Sequence, residues 1–562
     1  MMNQTIFDTS LIFSKKGIQH VILSPGSRNA PLTISFARNP DIKTYNIVDE
    51  RSAGFIALGI AQKLKQSVVL CCTSGTSLLN YAPAIAEAFY QRIPLIVLSA
   101  DRPSEWHGQR DGQTIHQFGS LSNFVRGTYQ LPIPDNIDSE WEYIRLINEA
   151  INRSVDTNSG PVHINVPFRE PFYPTKDQQL EFSKDIKIIK RESLITTLDF
   201  ASLKRHWANA KRVLIVAGQM PSDALLSDSL ISLSEKAVIV ADVISNITGN
   251  KIIRHQDHFL ANSDNELVDS LKPDLLITLG KSVISKNLKL FLRKNQPKTH
   301  WHVEQTDGSP DTYQSLTHLL SCSPKEFLKL AIDNIADLPK IEESFNNSWF
   351  GLEAKIADAL ATTLNKVSFC EYSAFNFVLK SLPSQIDLHL ANSMPVRYAN
   401  LLPQPNQFVE IFANRGTSGI DGTNGTAVGN ALVSEKPTYL LTGDLSFFYD
   451  RNAFFHGYSL EKLKIIIFNN QGGGIFRLIG GPSSLPELEQ HFETRHSHTA
   501  KYTAAEYEME YFTADDLKST EESMSLLNKS KGAVILEIFT NPEKNSEVFK
   551  QVKAAIAAQI SA

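Results

Sequence analysis

The chain is 562 residues long, 42% hydrophobic and 20% charged, and its 55 basic and 60 acidic residues give a formal net charge of −5. That length exceeds what one core serves, and the charge balance excludes binding of nucleic acid or of an anionic membrane through bulk charge, so any anion must be held locally. No run approaches the roughly 20 apolar residues that span a bilayer, and the amino end lacks the pattern of a signal segment, so a cytoplasmic protein with neither nucleic-acid nor membrane partners is expected. Cys71 and Cys72 are adjacent while Cys322 and Cys370 stand alone. This fits neither a disulfide framework nor paired metal ligands, and all four are read as buried thiols.

In the first block, short β-branched runs alternate with amphipathic stretches. Val21 to Leu23, Val68 to Cys72, Leu95 to Ser99 and His163 to Val166 are predicted strands of an α/β domain over 1–180. Ser24-Pro25-Gly26-Ser27-Arg28-Asn29-Ala30-Pro31-Leu32 follows the first run, and Ala100-Asp101-Arg102-Pro103 follows the third. Between them, Tyr45-Asn46-Ile47-Val48-Asp49-Glu50 reads as a strand running out into an acid. A lone glutamate there is ordinarily a solvated loop residue, and Glu50 precedes the small-residue helix start Arg51-Ser52-Ala53-Gly54. The block closes at Gly160-Pro161-Val162-His163-Ile164-Asn165-Val166-Pro167, and a polar, Lys-rich connection runs through about residue 190.

A second series, Val213 to Ala217, Val238 to Ala241, Leu275 to Leu279 and Trp301 to Glu304, predicts a Rossmann-like sheet over 190–340. Gly280-Lys281-Ser282 resembles the end of a P-loop, but Leu275 stands where its first glycine belongs. Gly218-Gln219-Met220 likewise breaks the G-x-G-x-x-G pattern of dinucleotide binding. An acidic stretch around Asp337 to Asn347 leads into 348–562, with strands at Leu388 to Leu390, Thr438 to Thr442, Ile465 to Phe468 and Val534 to Ile538. The expected architecture is therefore α/β, in three domains that each have a mainly parallel sheet flanked by helices.

The third block carries the strongest chemistry. Leu440-Leu441-Thr442-Gly443-Asp444-Leu445-Ser446 is a buried strand ending in glycine and an acid, and Asn470 of Phe468-Asn469-Asn470 lies 26 positions beyond Asp444. In open α/β sheets ligands bind at the carboxyl ends of strands, and a carboxylate, an amide oxygen and a loop carbonyl suit a Mg²⁺ that also holds phosphate oxygens. Gly472-Gly473-Gly474 lets a carbonyl turn toward such an ion without Cβ interference. Either segment alone would be a strand-terminating turn; together they argue for a site. His491, Glu493, His496 and His498 place no two histidines one helical turn apart, and they are read as a mobile active-site lid, not a metal cluster.

The Gly443-Asp444 and Asn469-Asn470 pairs resemble the diphosphate-binding motif of thiamine-diphosphate enzymes. The resemblance implies thiamine diphosphate with Mg²⁺ or Mn²⁺, with Asp444, Asn470 and the Gly472 carbonyl as metal ligands and Leu445 and Ser446 beside the diphosphate. It also implies that Glu50 hydrogen-bonds the aminopyrimidine ring and promotes its imino tautomer, which takes the proton from thiazolium C2. The two segments around Arg28 and Arg102, together with Asn392-Ser393-Met394-Pro395-Val396-Arg397 and Asn414-Arg415-Gly416-Thr417-Ser418-Gly419-Ile420-Asp421-Gly422, closely resemble the 2-succinyl-5-enolpyruvyl-6-hydroxy-3-cyclohexene-1-carboxylate synthase family of menaquinone biosynthesis.

That resemblance implies decarboxylation of 2-oxoglutarate and conjugate addition of the succinyl semialdehyde carbanion to isochorismate. Each substrate carries two carboxylates, a task suited to the guanidinium forks of Arg28, Arg102, Arg397 and Arg415. It further implies Ser27 and Gln113 as isochorismate contacts, Ser393 as a cofactor or acyl-intermediate contact and Ile420 as the bulky residue that bends the cofactor. Phe476 and Ile479 would cover the apolar side of the ring, and His496 is the lid member matching the family. A homodimer or homotetramer with active sites at the subunit interface is implied as well. Two positions depart from the family pattern: Gly112 replaces a side chain that is polar in relatives, and Arg477 stands where a small serine is usual. No adjacent His-His pair is present, and no residue is assigned as general acid. The rival readings are an acetolactate-synthase-like carboligase, which has less use for four pocket arginines, a non-catalytic binding protein of the same fold, and a nicotinamide-binding protein using the middle sheet.

Overall fold

The computed structural model describes residues 2–170, 172–175, 178, 180–189, 200–261, 265–306, 308–403 and 409–561. The end of the Lys-rich connection, at about residue 190, lies outside them. The first sheet is built from β1 (His20–Leu23), β2 (Lys43–Asn46), β3 (Val68–Cys72), β4 (Leu95–Asp101), β5 (Thr128–Gln130) and β6 (Val162–Pro167), in the order β2-β1-β3-β4-β6-β5. All its pairs run parallel. β3, β4 and β6 are buried at every position, as parallel strands covered on both faces must be.

The second sheet, also parallel throughout, has β7 (Val213–Ala217), β8 (Val238–Ala241), β9 (Leu275–Leu279), β10 (Thr299–Val303) and β11 (His318–Leu320) in the order β11-β10-β9-β7-β8. The third has β12 (Asp387–Leu390), β13 (Glu410–Phe412), β14 (Thr438–Gly443), β15 (Leu463–Asn469), β16 (Glu510–Ala514) and β17 (Val534–Phe539) in the order β13-β12-β14-β15-β17-β16. Helices flank all three sheets, so the α/β reading holds.

The chain forms two compact units. The first comprises 1–194, 414–438 and 447–463, and the second comprises 195–413, 439–446 and 464–562. Inside the first unit the helix Glu50–Leu64 packs on the helix Thr423–Val433 through glycines. A Cβ at Gly59 would lie 2.1 Å from the Thr426 carbonyl oxygen, and one at Gly429 would lie 2.1 Å from that of Ile56. The small residues behind Glu50 thus let two backbones touch. Inside the second unit one apolar cluster runs from Leu214 and Leu276 to Leu441, Ile466 and Leu536, joining the second and third sheets in a continuous core.

In the middle sheet the loops that carry the nucleotide-like fragments close on each other. The loops after β7 and β9 spend their backbone groups on each other: Gln219 N donates to Ser282 O at 2.9 Å, and Lys281 N donates to Gln219 O at 3.1 Å. A Cβ at Gly218 would meet the Lys281 carbonyl oxygen at 2.3 Å, which leaves no cradle for a phosphate. All four cysteines are buried free thiols, and burial pushes Cys71 up to about 12. Among the described residues no helix is long and apolar enough to cross a membrane.

Candidate active site

In the second unit, β14 and β15 are neighbours and end together, which brings Asp444 beside the loop that follows Asn469. Asp444 is 2% exposed. Its Oδ2 accepts the Gly472 N–H at 3.0 Å and lies 3.4 Å from His496 Nε2, while Oδ1 accepts the Leu445 N–H at 2.6 Å. Asn470 is 8% exposed and donates from Nδ2 to Glu371 Oε2 at 2.5 Å, whereas its Oδ1 is buried with no hydrogen-bond partner. Leaving such an acceptor unsatisfied costs about 1–3 kcal/mol, so the site calls for an electrophile. A buried carboxylate, an orphaned amide oxygen and a glycine loop fit a hard divalent cation with oxygen ligands. A Cβ at Gly472 would meet the Glu493 carbonyl oxygen at 2.8 Å, so glycine is required at that turn.

The other asparagine of the pair is fully used inside the protein. Asn469 donates from Nδ2 to Glu537 Oε1 at 2.7 Å and to His498 O at 3.1 Å, and its Oδ1 accepts the Gln471 N–H at 2.9 Å. Gln471 stands at φ 64°, and this bond supports its left-handed turn. Glu537 also accepts from Thr499 Oγ1 at 2.7 Å, Tyr511 Oη at 2.6 Å and Ala500 N at 3.0 Å. Each asparagine is therefore oriented by its own buried carboxylate. Burial pushes Glu371 up to about 7, the Asn470 bond opposing that shift and the Asp444 charge adding to it.

Ser393 precedes the helix Met394–Leu401 at φ 72°, ψ −123°, a conformation that strains any residue with a Cβ. Its carbonyl accepts from Arg397 Nη1 at 2.5 Å. Phe476 packs against Phe492 with ring centroids 5.7 Å apart, and Ile479 is exposed. Arg477 explains its own departure from serine. Its guanidinium lies 2.6 Å from Glu493, 2.8 Å from Glu489 and 3.3 Å from Glu543, and Arg495 pairs with the same three carboxylates. This five-member cluster ties the π-helical turn Leu488–Glu493 to the C-terminal helix Pro542–Ser561. Glu493 is thus an ion-pair partner, and among the described residues no three or more His, Cys, Asp and Glu side chains gather as a metal cluster.

In the first unit, Glu50 is the first residue of its helix, where the macrodipole favours a carboxylate, and the Asp49 side chain caps that helix by accepting the Ser52 N–H at 3.1 Å. Ser77 Oγ donates to Glu50 Oε1 at 2.6 Å. Arg28 is buried, donates to Phe168 O at 3.1 Å and lies 4.5 Å from the Phe172 ring centroid. Burial lowers its pKa and neighbouring Arg102 lowers it further, so these two arginines share one field. Arg102 donates from Nε and Nη2 to the Gly112 carbonyl at 3.1 and 2.9 Å and pairs with Asp111 at 2.8 Å. Position 112 therefore contributes backbone, with no atom within 4 Å of a Cβ built there. Ser27 and Gln113 are exposed, and Gln113 adopts φ 56°.

Arg415 and Ile420 sit on one loop of this unit, and Ile420 is 41% exposed, hence no core residue. The loop is pinned by Glu87, which is 1% exposed and accepts the Gly416 N–H at 2.8 Å and both the Thr417 N–H and Oγ1–H at 2.6 Å. Ser77, Glu87, Glu371 and Glu537 were not marked by the sequence reading. Glu87 and Glu537 did leave a signal, each being a lone acid in an apolar segment, Ala-Ile-Ala-Glu-Ala-Phe and Val-Ile-Leu-Glu-Ile-Phe. Ser77 and Glu371 left none.

Comparison with known proteins agrees with this geometry. Residues 10–120 match the family described as thiamine pyrophosphate enzyme, N-terminal TPP binding domain, and residues 187–390 match the one described as middle domain of thiamine pyrophosphate. The 2-succinyl-5-enolpyruvyl-6-hydroxy-3-cyclohexene-1-carboxylate synthase of Cytophaga hutchinsonii is 43% identical, over 98% of this chain and 99% of that protein. The synthases of that name from Flavobacterium johnsoniae and Porphyromonas gingivalis are 40% and 39% identical, over 96% and 98% of this chain and 96% of each relative. The crystal structure of benzoylformate decarboxylase from Polynucleobacter necessarius superposes with a TM-score of 0.71 over 96% of this chain and 99% of that one; at 16% identity it speaks for the fold alone. The chain belongs to the 2-succinyl-5-enolpyruvyl-6-hydroxy-3-cyclohexene-1-carboxylate synthase family of thiamine-diphosphate-dependent enzymes.

Proposed function

We propose that the enzyme decarboxylates 2-oxoglutarate and adds the resulting succinyl semialdehyde carbanion to isochorismate, giving 2-succinyl-5-enolpyruvyl-6-hydroxy-3-cyclohexene-1-carboxylate and CO₂. The observation that carries this reading is the buried pair at the ends of β14 and β15, the Asp444 carboxylate and the unpartnered Asn470 Oδ1, in a chain 43% identical to a synthase of that name. Thiamine diphosphate, when bound, supplies a nucleophilic carbon and an electron sink for the carbon dioxide loss. Asp444, Asn470 and the Gly472 carbonyl hold Mg²⁺ or Mn²⁺, with Leu445 and Ser446 beside the diphosphate and Ser393 contacting cofactor or acyl group.

Glu50 exchanges a proton with the aminopyrimidine ring. The Ser77 hydroxyl bonds Oε1, so Oε2 is the atom that carries the exchange. Arg28, Arg102, Arg397 and Arg415 hold the substrate carboxylates, where forked donors give both charge and orientation. Ser27 and Gln113 contact isochorismate, Ile420 supports the bent cofactor, and Phe476 and Ile479 cover the apolar side of the substrate ring. The exposed apolar surfaces of Ile420 and Ile479 suit such contacts. The Arg477 and Arg495 cluster ties down the lid segment that carries His496, whose Nε2 lies 3.4 Å from Asp444 Oδ2. The working form is a cytoplasmic homodimer or homotetramer with active sites at the subunit interface.

The test is incubation of purified enzyme with thiamine diphosphate, Mg²⁺, 2-oxoglutarate and isochorismate, following isochorismate loss and product mass, beside Glu50→Gln. Adduct formation that falls by about 10²–10⁴ in the variant is expected for loss of a general acid–base group. Consumption of pyruvate but not of this substrate pair would make the chain an acetolactate-synthase-like carboligase instead.

A further inference from the structure

We infer that Glu371, which lies outside the metal-ligand set, is the positioning residue that decides which end of the Asn470 amide faces the cation. The inference rests on the reading of Asp444, Asn470 and Gly472 as metal ligands. An asparagine amide has two ends of nearly equal size, and only the oxygen binds a cation. Something on the far side must therefore select the orientation. Glu371 does so as a buried carboxylate, 4% exposed, that accepts from Asn470 Nδ2 at 2.5 Å. With Glu371 Oε2 taking a hydrogen of Nδ2, the amide turns its NH₂ inward and its oxygen outward.

Glu371 is itself held in place. Its backbone N–H donates to Asn545 Oδ1 at 2.8 Å, and Asn545 Nδ2 lies 3.4 Å from Glu371 Oε2 and 2.9 Å from Thr540 Oγ1. It is also the first residue of the helix Glu371–Ser381, an end that favours negative charge. A Cβ at Gly474 would stand 2.9 Å from Asn470 Nδ2, so glycine there leaves room for the amide, whose orientation the Glu371 bond then sets. The neighbouring pair marks the difference in role. Glu537 orients Asn469, whose oxygen is consumed by Gln471 N, so that pair shapes the loop; Glu371 orients Asn470, whose oxygen has no protein partner, so this pair presents a ligand.

The test measures Mn²⁺ binding directly, by the electron paramagnetic resonance signal of free Mn²⁺ at fixed saturating thiamine diphosphate, with circular dichroism as a fold check. Glu371→Gln keeps the shape but no longer dictates the orientation, and it is expected to weaken Mn²⁺ about 10–100-fold, as partners behind a metal ligand do. Turnover should return at high Mn²⁺, with kcat largely restored. The decisive variant is Glu371→Gln combined with Asn470→Asp, which recreates the carboxylate–amide pair with its roles exchanged. The carboxylate introduced by Asn470→Asp offers oxygen from either end, so the double variant should bind Mn²⁺ more tightly than either single variant, a reversal that a merely structural Glu371 would not give. If Glu371→Gln does not fold, the double variant is read against Asn470→Asp, which it should exceed in Mn²⁺ affinity. Wild-type Mn²⁺ affinity in Glu371→Gln, with Asp444→Ala losing the metal, overturns the role of Glu371. Unchanged affinity in Asp444→Ala overturns the ligand assignment beneath it.

Discussion

Asp450 is fully buried, accepts the Gly425 N–H at 2.9 Å and lies 3.9 Å from Arg51. Burial pushes its carboxyl up to about 7, with the Gly425 bond and Arg51 opposing and Asp421 and Asp49 adding to the rise. An unfolded aspartate titrates near 3.9, so between those two values the folded chain binds the proton more tightly. Its contribution to stability is present below about pH 4 and is lost as the pH rises through about 7. Asp450→Asn removes that dependence. Melting curves from pH 5 to 8 should fall more steeply for wild type than for the variant, and parallel curves would refute the assignment. Glu87 acts through geometry instead. Glutamine in its place offers one acceptor oxygen where two held the Gly416 and Thr417 donors. Glu87→Gln should raise KM for the substrate proposed to bind Arg415 about tenfold, as loss of one charged hydrogen bond implies, with kcat nearly unchanged. An unchanged KM beside a lowered melting temperature would make Glu87 structural only.

At the scale of elements, the glycine contact between the helices Glu50–Leu64 and Thr423–Val433 gives a paired prediction. Gly59→Ala drives a methyl into the Thr426 carbonyl and should destabilise the chain by about 1–3 kcal/mol, read from the urea midpoint. Gly351→Ala, in the helix Glu343–Leu364 with nothing within 4 Å of the new methyl, should stabilise by about 0.5–1 kcal/mol. The same scale shows what the sequence reading could reach. Interior strands such as Val-Val-Leu-Cys-Cys and Leu-Lys-Ile-Ile-Ile-Phe-Asn are covered on both faces and appear as apolar runs. The four strands it missed, β5, β11, β13 and β16, are all edge strands. An edge strand pairs on one side only and its side chains are partly solvated. Thr-Tyr-Gln and Glu-Tyr-Phe-Thr-Ala accordingly look like loops.

For the whole molecule, legibility of the site follows sequence distance. Asp444 and Asn470 stand out because a strand end, an acid and glycines are contiguous in the chain. Glu371 is 99 positions from the asparagine it orients, and Glu87 is 329 positions from the glycine it holds, so no local pattern marks either. The first compact unit poses the same problem in time. It includes 414–438 and 447–463, so the glycine-bearing face of the helix Glu50–Leu64 meets its cover only after the intervening chain has been made. At a synthesis rate of roughly 5–20 residues per second, that face waits on the order of 20–70 s on the ribosome. The amino-terminal unit cannot complete this helix pair as it emerges. During translation, its dependence on a distant helix creates a window for chaperone capture or for pairing with the wrong chain.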